Sequence, residues 1–302
     1  MPPAAGSPTP PPRYEHAAAL CRRAAAWGAA PRLLVLFGAA PDGPLSDVWA
    51  LDLDAMTWER LDPAGSRPPP RTLHSVAVVR AAPAPPAADS VTATAKPLAP
   101  GPRVPAGDRL FVFGGGAQMS SPVADQRTYC LDLERLAWVV VHCPRDGVCS
   151  PAPRLGHSLT AVGSLVVMFG GLDGDRILDE LWAFDMVSFR WFQPPVDGPR
   201  PSGRCAHTAT AIGSSIVVIG GMVRNPSPAV ADDVWVLDTV TWSWARQNPA
   251  FVPPEAPRPR LDHDACAIPS SEGSGKESIV VFGGMDLVNT FNDVFEYIVE
   301  LD

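Results

Sequence analysis

The segment VVMFGGLDGD, residues 166–175, is a run of apolar residues followed by two glycines and then two acids around a third glycine. It could end a strand at a phosphate-binding loop, present Asp173 and Asp175 to a metal ion, or form an ordinary strand and turn. A phosphate loop leads into a helix, whereas a second apolar run follows here and no lysine is present. A calcium loop needs a further acid where Ile177 stands. The segment therefore favours the strand and turn.

The same segment occurs five times along the chain, as expected for a structural repeat. The copies are LLVLFGA (33–39), LFVFGGG (110–116), LVVMFGG (165–171), SIVVIGG (215–221) and SIVVFGG (278–284). An Arg-x-x-His pair precedes each copy: Arg13/His16, Arg71/His74, Arg154/His157, Arg204/His207 and Arg260/His263. An aromatic-x-x-Asp motif and a later tryptophan follow most copies, and Trp182 and Trp235 mark a period of 53 residues.

The repeat predicts four short strands per unit. Strand a begins at Arg-x-x-His, strand b ends at the glycine pair, strand c carries the aromatic residue, and strand d holds the later tryptophan. The 36 prolines cluster between these segments, and because proline cannot donate to a sheet ladder, the clusters mark connections. No long stretch has apolar residues at helical spacing, so the chain is predicted to be all-β.

These motifs resemble kelch repeats, which form β-propeller blades of about 50 residues. The resemblance implies a kelch-type β-propeller with five recognisable blades, each a four-stranded antiparallel sheet. The blades would follow a proline-rich tail, residues 1–12, and span about residues 13–62, 71–142, 154–194, 204–247 and 260–302.

Three copies depart from the pattern. The first has Gly38–Ala39 in place of the glycine pair, the second has Tyr129 in place of tryptophan, and the fifth has Phe295 and lacks a later tryptophan. We therefore expect the last blade to lack its fourth strand. The ring would then be incomplete, belong to a truncated product, or be completed by another chain, and the first two alternatives are favoured. The proline-rich start of the chain is a poor candidate for the missing strand. Open sheet edges would promote self-association.

The recurring residues are expected to support the fold, because a residue that returns in every blade is unlike an asymmetric catalytic group. The arginines would pair with acids near the start of strand c, such as Asp47, Asp179 or Asp233. The residues predicted to be structural are Gly114, Gly115, Gly170, Gly171, Gly220, Gly221, Gly283, Gly284, Trp49, Trp182 and Trp235.

Strand alternation places the b–c loops and the d–a connectors on one propeller face, here called the loop face. Kelch domains hold partner proteins on such a face, and variable loops on a rigid scaffold are where binding usually resides. The candidate partner-binding residues are Asp173, Asp175, Arg176, Arg224, Asn225, Asp286 and Asn289. The same residue types are also common in solvated turns. The Ala/Pro-rich insert 80–108 is predicted to be disordered and is either a docking segment or inert.

The function predicted from these features is a non-enzymatic scaffold or adaptor that binds a protein partner. No catalytic residue, metal ligand or cofactor is predicted; His142 and Cys143 are adjacent, so on a strand their side chains would point to opposite sides. The alternative is a propeller enzyme or a carbohydrate-binding module with its site in the same loops.

Composition and charge limit the classes of partner and the cellular locations to be expected. The net charge of −8 argues against nucleic-acid binding, and no apolar run approaches the roughly 18 residues that span a bilayer. The six cysteines lack zinc or disulfide spacing. We therefore expect a cytoplasmic protein with reduced thiols, for which the nucleus is a second location.

Overall fold

The computed structural model describes residues 8–22, 30–80, 108–118, 121–122, 125–141, 150–224, 226–247, 250–252, 257–269 and 277–299. These residues form strands, bends and turns, and they contain no helix that is long and apolar enough to cross a membrane. The predicted insert 80–108 lies, apart from its two end residues, outside the described ranges, as do His142, Cys143 and Asn225.

The strands form five sheets that follow one another along the chain. Blade 1 contains β1 (Ala17–Cys21), β2 (Arg32–Leu36), the short pair β3 (Ala39–Ala40) and β4 (Gly43–Pro44), β5 (Val48–Asp52) and β6 (Thr57–Leu61). Blade 2 contains β7 (Ala64–Gly65), β8 (Ser75–Val79), β9 (Arg109–Phe113), β10 (Gly116–Gln118), β11 (Ser121–Pro122), β12 (Thr128–Asp132) and β13 (Ala137–Val141).

The remaining blades follow the same order. Blade 3 contains β14 (Ser158–Val162), β15 (Leu165–Phe169), β16 (Leu172–Asp173), β17 (Arg176–Ile177), β18 (Leu181–Asp185) and β19 (Arg190–Phe192). Blade 4 contains β20 (Thr208–Ile212), β21 (Ser215–Ile219), β22 (Met222–Arg224), β23 (Pro228–Val230), β24 (Val234–Asp238) and β25 (Ser243–Gln247). Blade 5 contains β26 (Ala250–Val252), β27 (Asp264–Pro269), β28 (Glu277–Phe282) and β29 (Val294–Ile298).

Each blade is mainly an antiparallel four-stranded sheet, in the order a, b, c, d for blades 1, 3 and 4. Strand a lies innermost, next to strand a of the neighbouring blade. Strand b is buried on both faces: in β15, Val166 and Met168 pack toward blade 2, whereas Val167 and Phe169 pack toward blade 4. This double burial explains why the strand is apolar at every position. The arrangement is the predicted five-bladed β-propeller.

Neighbouring blades are held together by apolar layers between their sheets. Four such layers join blades 1 and 2, 2 and 3, 3 and 4, and 4 and 5. Aromatic rings meet across them: the centroid of Phe113 in blade 2 lies 5.5 Å from that of Trp191 in blade 3. Each buried large side chain contributes about 1.5–3 kcal/mol, so the later tryptophans of the repeat serve packing between blades.

Blade 5 obtains a fourth strand from an unexpected part of the chain. The described residue after β29, Val299, lies outside any strand. The sheet nevertheless has four strands, because β26 pairs antiparallel with β29. We expected a three-stranded blade, and this expectation was wrong because the connector from blade 4 fills the position. In blade 2 a connector also adds β7, which runs parallel to β13.

The far face of blade 5, turned away from blade 4, is not covered by another blade. The last residue of strand b packs against the next blade in the other four copies, and Phe169, for example, is only 3% exposed. The equivalent residue of blade 5, Phe282, is 55% exposed, and its strand neighbour Val294 is 54% exposed. The described residues therefore form an open series of blades.

Candidate interaction face

The motif arginines are buried and hold strands b and c together at the loop face. Arg154 donates from Nη1 to the carbonyl oxygen of Gly170 (3.1 Å) and from Nη2 to Glu180 (2.6 Å). The same carboxylate accepts a bond from Trp182 Nε1 at 3.0 Å. The acid, the tryptophan and the arginine thus form one unit, which explains why they recur together.

The acid partners are partly those that the sequence predicted. The ion pairs Arg13–Asp47, Arg204–Asp233 and Arg260–Asp293 all have lengths of 2.7 Å. In blade 3, however, the partner is Glu180 and not Asp179, since side chains two residues apart on a strand share a face and Glu180 stands two residues before Trp182. Asp179 instead lies 3.4 Å from Arg200 in an exposed pair.

The glycine pairs allow the next blade to approach the backbone. The N–H of Gly171 donates to the carbonyl oxygen of Arg204 in blade 4 at 2.8 Å. A Cβ atom on Gly170, where φ is +67°, would lie 2.3 Å from the same oxygen. In blade 1 the hydrogen bonds assign these two places to Phe37 and Gly38. The alignment on Gly38–Ala39 was therefore wrong by one residue, because Phe37 itself takes a positive φ of 55°.

The motif histidines of blades 2–5 are buried between blades. His207 Nε2 lies 3.0 Å from Ser158 Oγ, and His263 Nε2 lies 2.9 Å from Thr208 Oγ1, each across a blade boundary. Burial, followed by the motif arginine, lowers the pKa of His74 and His207 to about 3. These imidazoles are largely buried at the blade boundaries, where burial favours their neutral form.

A line of backbone hydrogen bonds links the blades near the axis. The residue before each motif histidine donates its N–H to the carbonyl oxygen of the same residue in the preceding blade: Leu73 to Glu15, Gly156 to Leu73, Ala206 to Gly156 and Asp262 to Ala206. Among the described residues, no such bond joins Glu15 to Asp262, and none joins Gly284 to Arg13. This line of backbone bonds therefore runs from blade 1 to blade 5, and the charges of Glu15 and Asp262 are close enough to interact where it ends.

The b–c loops project from this scaffold on the loop face. In blade 3 the residues Asp173 and Arg176 are opposite each other in the backbone ladder of the β16–β17 hairpin. The exposed Arg224 of β22 donates to the carbonyl oxygen of Asp175 at 3.2 Å, so the hairpins of blades 3 and 4 contact each other. Four of the predicted binding residues are therefore neighbours. Their role in binding stays a prediction.

The predicted residues of blade 5 belong to a separate turn. The carboxylate of Asp286 accepts bonds from the backbone N–H groups of Val288 and Asn289. The Asn289 side chain also donates to Asp286 at 3.2 Å. This is the local turn that Asp and Asn commonly form. Its tip exposes Leu287 and Val288, two apolar residues that the sequence reasoning did not single out.

Blade 2 contains a cleft that the sequence reasoning also missed. It has a volume of about 740 Å³ and is lined by Arg67, Pro69, Asp125, Gln126, Arg127 and Tyr129. The sequence feature that could have indicated the cleft was Arg127, which stands two residues before the aromatic residue, where the other four blades carry an acid.

Among the described residues, no group of three or more His, Cys, Asp or Glu side chains is arranged to hold a metal ion.

Comparison with known proteins agrees with this architecture. The family model of the KLHDC2/KLHL20/DRC7 Kelch-repeats domain matches residues 103–301. The chain is 35% identical over 173 residues to the Rab9 effector protein with kelch motifs of Gallus gallus, covering 57% of this chain and 37% of that protein. It is 30% identical over 172 residues to the Rattus norvegicus protein of the same name, with shares of 56% and 37%.

Host cell factor 1 of Homo sapiens is 31% identical to the chain over 180 residues, which are 55% of this chain and 7% of that protein. The chain thus spans well under half of the length of these relatives. The family model, in contrast, covers more than half of the chain and includes three of its five motif arginines, Arg154, Arg204 and Arg260. The chain belongs to the kelch-repeat family.

Proposed function

We propose that the chain is a non-enzymatic protein-interaction module that holds a partner on its loop face, as a scaffold or adaptor. The observation that carries the proposal is that the recurring side chains lie inside the fold, whereas the variable side chains lie at the surface. The recurring arginine, acid and tryptophan are bonded to one another inside the fold, as Arg154, Glu180 and Trp182 are, and the recurring histidines of blades 2–5 are buried. The side chains that vary between blades are left at the exposed hairpins.

The contact between neighbouring hairpins supports a surface that spans more than one blade. Arg176 and Arg224 are exposed on adjacent hairpins, and Arg224 bonds the backbone of Asp175. Charges at the rim of an interface direct association and specificity. We infer that these two arginines contact the partner directly.

The names of the relatives suggest the first partner to test. Several are Rab9 effector proteins with kelch motifs, and we propose that this chain also binds a Rab-type GTPase, of which Rab9 is the natural first choice. The test immobilises Rab9, loaded with either GDP or a GTP analogue, and measures binding of the chain by interferometry.

Charge reversal supplies the variants for this test. The double variant Arg176→Glu/Arg224→Glu should weaken binding at least about tenfold, equivalent to 1.4 kcal/mol. Glu134→Lys reverses a charge in a c–d turn on the opposite face and should leave binding unchanged. Equal binding by all three proteins would refute a partner site at these hairpins, and a lack of binding to Rab9 in both nucleotide states would remove Rab9 as the partner.

The proposal places this activity in the cytoplasm. A fluorescently tagged chain in cells should show diffuse cytoplasmic signal or signal on the organelles that carry the partner. Retention in the secretory pathway would contradict this placement.

A further inference from the structure

Blade 2 departs from the other blades at the ion pair beneath the loop face. Arg127 occupies the place of the acid, and Asp125, two residues earlier, supplies the carboxylate to Arg71. That ion pair is 3.4 Å long, whereas the equivalent pairs of the other blades measure 2.6–2.7 Å. Asp125 also accepts a 2.6 Å bond from the Tyr129 hydroxyl and lies 3.9 Å from Arg127 Nε. The carboxylate of Asp125 therefore lies within ion-pair distance of two guanidinium groups, those of Arg71 and Arg127.

The cleft beside this cluster is lined by two exposed arginines, Arg127 of the cluster and Arg67. The side chain of Arg127 is 66% exposed. Arg67, from the connector after blade 1, also lines the cleft and pairs with Asp62, which is 92% exposed. A solvent-exposed pair of this kind is weak, so Arg67 remains available to a second anion. The cleft is thus locally positive in a chain whose net charge is −8.

The chemistry of the cleft favours carboxylate groups on a peptide. A guanidinium group presents paired donors that match both oxygens of a carboxylate. Pro69 and Tyr129 also line the cleft and add apolar surface to it. The volume of about 740 Å³ is sufficient for a few residues of an extended chain.

We propose that this cleft binds a short acidic segment of the protein partner, with Arg67 and Arg127 contacting its Asp or Glu side chains. The inference rests on the proposed function, because it adds a specificity site to the same loop face. Blade 2 differs from the repeat because Arg127 replaces the acid of the internal ion pair, and this arginine would contact the partner.

The decisive variant is Arg127→Asp, which restores the residue type of the other four blades. It should leave the melting temperature unchanged or raise it, since a second carboxylate would stand near the buried Arg71. The probe is a fluorescein-labelled, capped hexaglutamate, with capped hexalysine and a Ser-Gly hexapeptide as comparisons, measured by anisotropy at low and high salt. The matched control is Arg135→Asp, which removes a 63% exposed arginine on the opposite face.

The wild-type chain should bind hexaglutamate in preference to the other two probes, and more weakly at high salt. Arg127→Asp should weaken this binding by about tenfold or more, whereas Arg135→Asp should not. No preference for hexaglutamate, or unchanged binding by Arg127→Asp, would overturn the inference. If the partner binds, depends on Arg176 and Arg224, and is insensitive to Arg127→Asp and to hexaglutamate, the proposed function stands and the acidic-segment site falls.

Discussion

Lowering the pH from 7.5 to 5.5 should strongly destabilise this propeller, because its buried histidines resist protonation. In the unfolded chain a histidine has a pKa of about 6.5. In the folded chain, burial and then the neighbouring arginine lower the pKa of His74 and His207 to about 3 and that of His263 to about 4. Below pH 6.5 the unfolded chain binds protons that the folded chain does not, so the free energy of unfolding falls as the pH falls.

The magnitude follows from the same values. A histidine that stays neutral when folded loses about 1.4 kcal/mol of stabilisation between pH 7.5 and 5.5. The three residues with pKa values of about 3 to 4 together lose about 4 kcal/mol, and the pKa of His157 is lowered in the same direction by burial and Arg154. This is a large share of the roughly 5–15 kcal/mol that keeps a domain folded.

Urea unfolding followed by tryptophan fluorescence across this pH range measures the effect. The slope should correspond to uptake of about three to four protons on unfolding near pH 5.5. The variant His207→Gln should reduce the uptake by about one proton. His16→Gln, at the exposed copy of the motif, should reduce it by less, because burial and then Arg13 also lower the pKa of His16. Equal stability at pH 5.5 and 7.5 would refute the assignment of neutral, inaccessible imidazoles.

Two further predictions compare equivalent positions with different surroundings, each measured as a free energy of unfolding in urea. Gly170→Ala should lower the free energy of unfolding by about 3–5 kcal/mol, because its Cβ would lie 2.3 Å from the Arg204 carbonyl oxygen. Gly283→Ala has a similar φ and no atom closer than 3.4 Å to its Cβ, so it should cost only about 1–2 kcal/mol. Equal losses would mean that φ alone requires the glycines. Phe169→Ser should cost about 3–5 kcal/mol and Phe282→Ser about 1 kcal/mol, in line with exposures of 3% and 55%. Phe282→Ser should also reduce the self-association that we propose for the uncovered face of blade 5, as measured by light scattering, and a loss as large as that of Phe169→Ser would show that this face is covered.

Much of the fold was predictable because the repeat constrains the same positions five times. Strand b could be located from an apolar run that ends at glycine, and the structural role of the arginines followed from their recurrence. The shift in blade 1 was not predictable from the pattern, since a phenylalanine rarely adopts the positive φ that Phe37 has. The strand Ala250–Val252 was also hidden, because it lies in a proline-rich connector and is defined only by its pairing with β29.

The candidate site was harder to predict than the fold, because its features arise between distant segments. Arg67 and Arg127 are 60 positions apart in the sequence, and only the stacking of blade 2 on the preceding connector places them at one cleft. The contact of Arg224 with Asp175 likewise depends on two hairpins lying side by side. Residue types alone marked these positions as exposed and polar, and they did not indicate which of them meet.

Among the described residues, the backbone bonds that join neighbouring blades do not recur between blades 5 and 1, and this affects how the molecule comes apart. In a closed ring every sheet is clamped from two sides, so no blade can open without breaking two boundaries. In the part of the chain that the structure describes, the first and last sheets each share an apolar layer with one neighbour, and stability approximates a sum of nearest-neighbour terms along a line. Opening should begin at these two ends and travel inward, so that the backbone amides of blade 3 exchange their hydrogens last.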